Sequence, residues 1–178
     1  MKRSFFFLVV IGVTMIFLGC SEENTTAPET NQAFAGTCIW VADIDPGETT
    51  LLEDGRTLIT GQKAEWYDST NVDLVTGKSF WEVGWIIEED GNAQMWATAE
   101  LVVDGGRGKW EFTWSGTRVP TGGGTFVEWE SPFRIEGDAV GKGVEGEVAG
   151  LEAKWTYIMD FNGDFSTLFY NVEGYIVK

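Results

Sequence analysis

Between residues 79 and 118 bulky apolar side chains recur at every second position, and two-residue turn signals interrupt them at regular intervals. In Lys109-Trp110-Glu111-Phe112-Thr113-Trp114-Ser115 the aromatic residues fall on one face and the polar residues on the other. Trp81, Val83, Trp85 and Ile87 share a face, as do Met95, Ala97, Ala99, Leu101 and Val103. A period of two is the signature of a half-buried strand and is incompatible with a helix, whose apolar stripe repeats every three to four residues. The dipeptides Asp54-Gly55, Asp90-Gly91, Asp104-Gly105 and Asn162-Gly163, with the run Gly122-Gly123-Gly124, are hairpin turn signals. Their spacing predicts strands over 36–45, 56–68, 79–88, 93–104, 108–118, 125–137, 142–149, 152–161 and 166–177, with a longer loop over 44–56 and a bulge or edge at Pro132.

The expected fold class is all-β: an antiparallel meander of about eight to ten strands closing into a small barrel, the alternative being a two-sheet sandwich. The barrel is preferred because the strands are long and carry internal glycines at Gly84, Gly137, Gly146 and Gly174, where a small barrel must bend. The run Gly141-Lys142-Gly143-Val144-Glu145-Gly146-Glu147-Val148 and the terminal stretch Val172-Glu173-Gly174-Tyr175-Ile176-Val177 resemble those of calycin-like and allene-oxide-cyclase-like barrels. That resemblance implies a small ligand-holding barrel and carries over no catalytic residue.

The N-terminal segment has a different character. Met1-Lys2-Arg3 is basic, Phe5 to Leu18 is almost wholly apolar, and Gly19-Cys20 closes the run before the chain turns polar and acidic. The apolar stretch has the length of a signal-peptide core and is short for a membrane span. Phe17-Leu18-Gly19-Cys20 resembles the lipobox of bacterial lipoproteins, with Phe17 standing where Leu is usual. The resemblance implies that residues 1–19 are removed and that Cys20 becomes a lipidated first residue, anchoring the chain to a membrane. Ser21 is similar to the residue found in lipoproteins sent to an outer membrane, and Glu22-Glu23 resembles a surface-export signal. Residues 20–34, rich in Thr and acids and almost without large apolar side chains, read as a disordered acidic tether, and residues 35–178 as one domain.

Charge and composition exclude several chemistries. Twelve basic residues less Lys2 and Arg3 leave ten against 28 acids, a net charge of −18 after removal of the leader. Nucleic acid, which demands clustered Lys and Arg, is excluded as a partner. The chain has no histidine and two cysteines, so zinc ligation and a Ser-His-Asp site are ruled out, and no cofactor motif is visible. With Cys20 lipidated, Cys38 is a lone thiol in a strand and reads as a small buried hydrophobe.

Three sets of residues could carry function. The nine tryptophans are the first. Trp offers a broad apolar face for a sugar ring or an apolar pocket. Trp81, Trp85, Trp110 and Trp114 share faces with Val, Ile or Phe and read as core, whereas Trp96 (beside Gln94, Thr98 and Glu100) and Trp66 (between Glu65 and Tyr67) read as ligand platforms. Second, Glu128 and Glu130 lie two apart on one expected strand face, with Cβ atoms about 7 Å apart. That is compatible with a catalytic carboxylate pair acting on a glycan. Third, Asp160, Asn162 and Asp164 occupy the first, third and fifth positions of a calcium-loop-like run, although Phe165 stands where such a loop has Gly. The expected role is non-catalytic binding of a small apolar ligand or a glycan at the cell envelope. The alternatives are a glycan hydrolase, a barrel cyclase or isomerase, and a structural or protein-interaction domain.

Overall fold

The computed structural model describes residues 31–165 and 168–177. The leader, Cys20 and most of the expected tether lie outside the described residues. Among the described residues nine strands follow one another: β1 (Gln32–Asp45), β2 (Glu48–Leu51), β3 (Thr57–Thr70), β4 (Gly77–Ile87), β5 (Ala93–Val103), β6 (Gly108–Pro120), β7 (Phe133–Gly146), β8 (Glu152–Phe161) and β9 (Phe169–Val177). From β3 to β9 each strand pairs antiparallel with the next, and β1 pairs with both β9 and β3. The sheet therefore closes into an eight-stranded up-and-down barrel, with β2 as a short ninth strand that continues the line of β1 along the same edge of β3.

Three features differ from the sequence reading. The strand expected over 125–137 begins only at Phe133. The triple glycine and Pro132 leave 121–132 irregular, with the amides of Glu130 and Ser131 both donating to the Val127 carbonyl. The separate strand expected over 142–149 does not exist, because β7 runs unbroken to Gly146. The expected 44–56 loop contains β2. In addition, β1 begins at Gln32 rather than after residue 34, because Phe34 is an inward anchor that is 3% exposed and packs edge-on against Trp155 at 5.8 Å.

The interior is filled by interleaving large and small side chains. Ala97 on β5 lies opposite Trp114 on β6, and Ala99 lies opposite both Trp81 and Phe112. On β7 a Cβ at Gly137 would stand 2.5 Å from the Trp114 ring, and one at Gly141 would strike the ring of Trp155. These positions are small because an indole occupies the space a side chain would need. The end of the barrel holding the N-terminus of β1 is solidly packed. There Trp155 meets Trp110 edge-on at 5.5 Å and Phe112 at a tilt at 5.3 Å, and Val75 and Val148 from the connecting turns plug the opening. Trp110 Nε1 donates to the Leu74 carbonyl at 2.7 Å, which fixes the plug to the core.

Candidate functional site

The other end of the barrel is not filled. A cavity of about 300 Å³ lies inside it, at the low end of the range of small-molecule sites. Six of the nine tryptophans line it: Trp40, Trp66, Trp81, Trp85, Trp114 and Trp129. Tyr157, Tyr170, Met95 and Met159 complete much of the wall.

The cavity reaches the surface where the wall is incomplete. Pairing between β1 and β9 ends at Ile39 and Phe169, yet β1 continues along β3 to Asp45, with bulges after Trp40 and Asp43. Trp40 and Asp43 stand on one side of this gap, Leu168 and Phe165 on the other. Trp40 Nε1 donates to Asp43 at 3.3 Å. Over the mouth lies Trp129, with φ at 62°, the one non-glycine at positive φ among the described residues. A bulky residue in that region is strained and persists only where its surroundings fix it. Here its ring stands edge-on to Phe133 and Phe161 and stacks on Phe165 at 6.2 Å.

The 121–132 loop that carries Trp129 is anchored by a buried cation. Arg118 is wholly buried near the end of β6. Its Nε donates to the Gly91 carbonyl at 3.0 Å, its Nη1 donates to Glu128, and its guanidinium lies over the rings of Trp85, Phe126 and Phe133 at 4.8 to 5.4 Å. Arg118 Nη2 and Trp114 Nε1 are buried without a hydrogen-bond partner among the described residues.

A polar cluster lies below the cavity. Asp68 on β3 is 1% exposed and accepts from the Ser79 hydroxyl at 2.6 Å and from the Tyr157 hydroxyl at 3.3 Å. Ser79 in turn accepts from Trp81 Nε1 at 3.0 Å. Burial pushes the Asp68 carboxyl up to about 6, partly offset by bonds from Ser79, Cys38 and Tyr157. Burial, reinforced by the Asp68 charge, pushes the neighbouring Cys38 thiol well above its ordinary value. Tyr157 is raised in the same way. Higher on the wall, Gln62 Oε1 accepts from Trp85 Nε1 at 2.8 Å.

The sequence candidates are dispersed. Trp66 lines the cavity and packs on Tyr170 at 5.2 Å, so it does not stand on a polar outer face. Trp96 is outside the barrel, 42% exposed, its indole laid across the backbone of Gly84. Glu128 and Glu130 do not share a strand face, because both lie in the irregular loop on either side of the positive-φ Trp129, and Glu128 is engaged by Arg118. Asp160 accepts two bonds from Arg134 Nη1, at 2.9 and 3.0 Å, while Asn162 Oδ1 accepts from the Asp164 amide at 2.9 Å within a turn. Among the described residues no group of three or more Asp, Glu, Cys or His side chains is placed to hold a metal ion.

Asp68, Ser79 and Arg118 are not among the sequence candidates, although the chain carries a signal for them. Arg118 has the same parity as Trp110, Phe112 and Trp114; Asp68 that of Ala64 and Trp66; Ser79 that of Trp81 and Val83. A polar residue on the apolar face of a strand is the pattern that marks a buried polar group.

Comparison with protein-family models, with characterised proteins and with solved structures finds no match to this chain.

Proposed function

We propose that this protein is a lipid-anchored lipoprotein of the bacterial cell envelope, attached to the outer membrane through Cys20, and that its barrel binds a small, largely apolar ligand without chemical conversion. The observation that carries the binding role is the concentration of six tryptophans around one cavity that opens through a gap in the barrel wall. A core built only for stability would close over such side chains, since unfilled space forfeits their contacts. The opposite end of this barrel, which is packed solid, is the internal control. The anchor rests on the basic, apolar and lipobox-like order of residues 1–20.

An apolar ligand is favoured over a glycan because the tryptophans converge on an enclosed space too small for an oligosaccharide. The exposed Trp96 is a solitary platform. The test is to titrate the chain from Ser21 to Lys178, which carries the whole sheet, with aromatic and aliphatic compounds of up to about two rings, following tryptophan emission. A saturable one-to-one change supports the binding role, and a flat response across the set refutes it. Membrane attachment is tested by expressing the full chain with Cys20→Ser, which should move from the membrane to the soluble fraction.

A further inference from the structure

The wall of the cavity has two properties that an apolar ligand alone does not require. The first is the arrangement of its rings. Trp81 stands at 77° to Trp114 and at 88° to Tyr157, and Tyr157 stands at 88° to Tyr170. In each such pair one ring sets its edge against the face of the other, and the eight Trp and Tyr rings of the lining come from six strands and the 121–132 loop, so aromatic surface, whose faces carry the negative lobe of a π quadrupole, borders the space on several sides. The second is the sign of its charge. Asp43, at the mouth, is the one Asp, Glu, Lys or Arg among the described residues whose side chain lines the cavity. Behind the floor lies a further carboxyl, Asp68, in contact with Tyr157, and the chain as a whole is strongly acidic. Among the described residues no Lys or Arg side chain lines the cavity.

Together these features make a box that is apolar to a hydrocarbon and attractive to a diffuse positive charge. We infer that the ligand is a compact organic cation, a quaternary ammonium or similarly alkylated amine with an apolar body. This rests on the cavity being a binding site and adds the charge of what it binds. A compact ammonium such as Lys loses too much hydration to enter an enclosed space, whereas a charge spread over several methyl groups is weakly hydrated and gains from several ring faces at once. The same end of the barrel already holds one cation in this manner. The guanidinium of Arg118, wholly buried, lies against Trp85, Phe126 and Phe133, with Glu128 as its carboxylate partner. That pair is internally neutral, so it leaves the field of Asp43 and Asp68 largely unopposed at the mouth and floor.

Size narrows the class further. A dry cavity of about 150 Å³ accepts benzene, so about 300 Å³ accepts a molecule of roughly twice that bulk, close to one aromatic ring bearing a trimethylammonium group.

The experiment compares benzyltrimethylammonium with its neutral carbon isostere, neopentylbenzene, by ligand-observed NMR on the chain from Ser21 to Lys178 at low and at moderate salt. The cation is expected to bind about tenfold more tightly or better, and its affinity should weaken with salt while that of the isostere does not. The exposed Asp43→Asn substitution should reduce the preference for the cation and leave isostere binding unchanged. Trp66→Leu should weaken the cation more than the isostere. If the isostere binds as tightly as the cation, or if Asp43→Asn affects both equally, the charge inference is overturned while the cavity remains a binding site. If neither compound binds, the binding role itself fails and this inference with it.

Discussion

Inside the barrel the Ser79 hydroxyl lies 2.6 Å from the Asp68 carboxylate, and neither residue is exposed to solvent beyond 1%. A carboxylate in that position is stabilised by its donors but penalised by its burial, and burial wins, since its pKa stands at about 6 against an ordinary 3.8. A folded-state pKa raised above the unfolded value means that the protonated form is favoured in the native state. Its contribution to stability is full below about pH 4 and is lost as pH rises through about 6. The shift corresponds to about 3 kcal/mol. Asp68→Asn removes this titration, so the stability of the variant relative to wild type should rise between pH 4 and pH 7 by an amount of that order. Urea denaturation at several pH values measures it, and a difference that is constant with pH would show that Asp68 is not the titrating group.

Cys38 shares this environment. Its thiol is held well above its ordinary pKa by burial and by the adjacent Asp68 charge, so almost none of it is thiolate at neutral pH. In the soluble chain lacking Cys20, a thiol reagent should label Cys38 only at the rate of unfolding, and at once in denaturant. Prompt labelling of the native protein would place the thiol in contact with solvent.

The Arg118–Glu128 pair ties the loop under Trp129 to the barrel. Glu128 is itself 41% exposed, so Glu128→Ala, which leaves the buried guanidinium short of one acceptor, should destabilise the fold by about 2 kcal/mol. Glu130→Ala, in the same loop, should change stability by less than about 0.5 kcal/mol. Thermal or urea melts of the two variants decide this, and equal effects would contradict the anchoring role.

Two glycines separate packing from chain flexibility. A Cβ at Gly137 would lie 2.5 Å from the Trp114 ring and from the Ser115 carbonyl, whereas nothing lies within 4 Å of one at Gly123. Gly137→Ala should lose about 2 kcal/mol or more through overpacking, and Gly123→Ala should be neutral. The same melts report both.

How legible was this molecule in its sequence? The strands β5 and β6 are readable because inward and outward residues alternate along them, and the barrel because glycines punctuate long strands. The loop before β7 was misread because Phe126, Val127 and Trp129 look like a strand. The triple glycine and the positive φ of Trp129 instead turn Trp129 to the cavity and leave Phe126 against Arg118. Trp66 was visible as a candidate for the wrong reason. Its sequence neighbours Glu65 and Tyr67 suggested a polar face, but alternation places Trp66 inward with Ala64 and Asp68. Trp40, Trp85, Trp114 and Trp129 could not be assigned to one cavity from sequence, because they come from different strands and a loop, and only barrel closure brings them together. Whether an inward tryptophan meets packed atoms or a void depends on the volumes opposite it, and no local pattern records those.

If the tryptophan-lined space holds a ligand, occupying it with a side chain must abolish binding. The most direct test is to fill it. Ala64, buried in the cavity wall, is replaced by Phe, and naphthalene is titrated by NMR against both proteins. The account predicts saturable one-to-one binding to wild type and its loss in an Ala64→Phe variant whose fold is intact by circular dichroism. Absence of binding to wild type, or binding that survives the filling of the cavity, would contradict it.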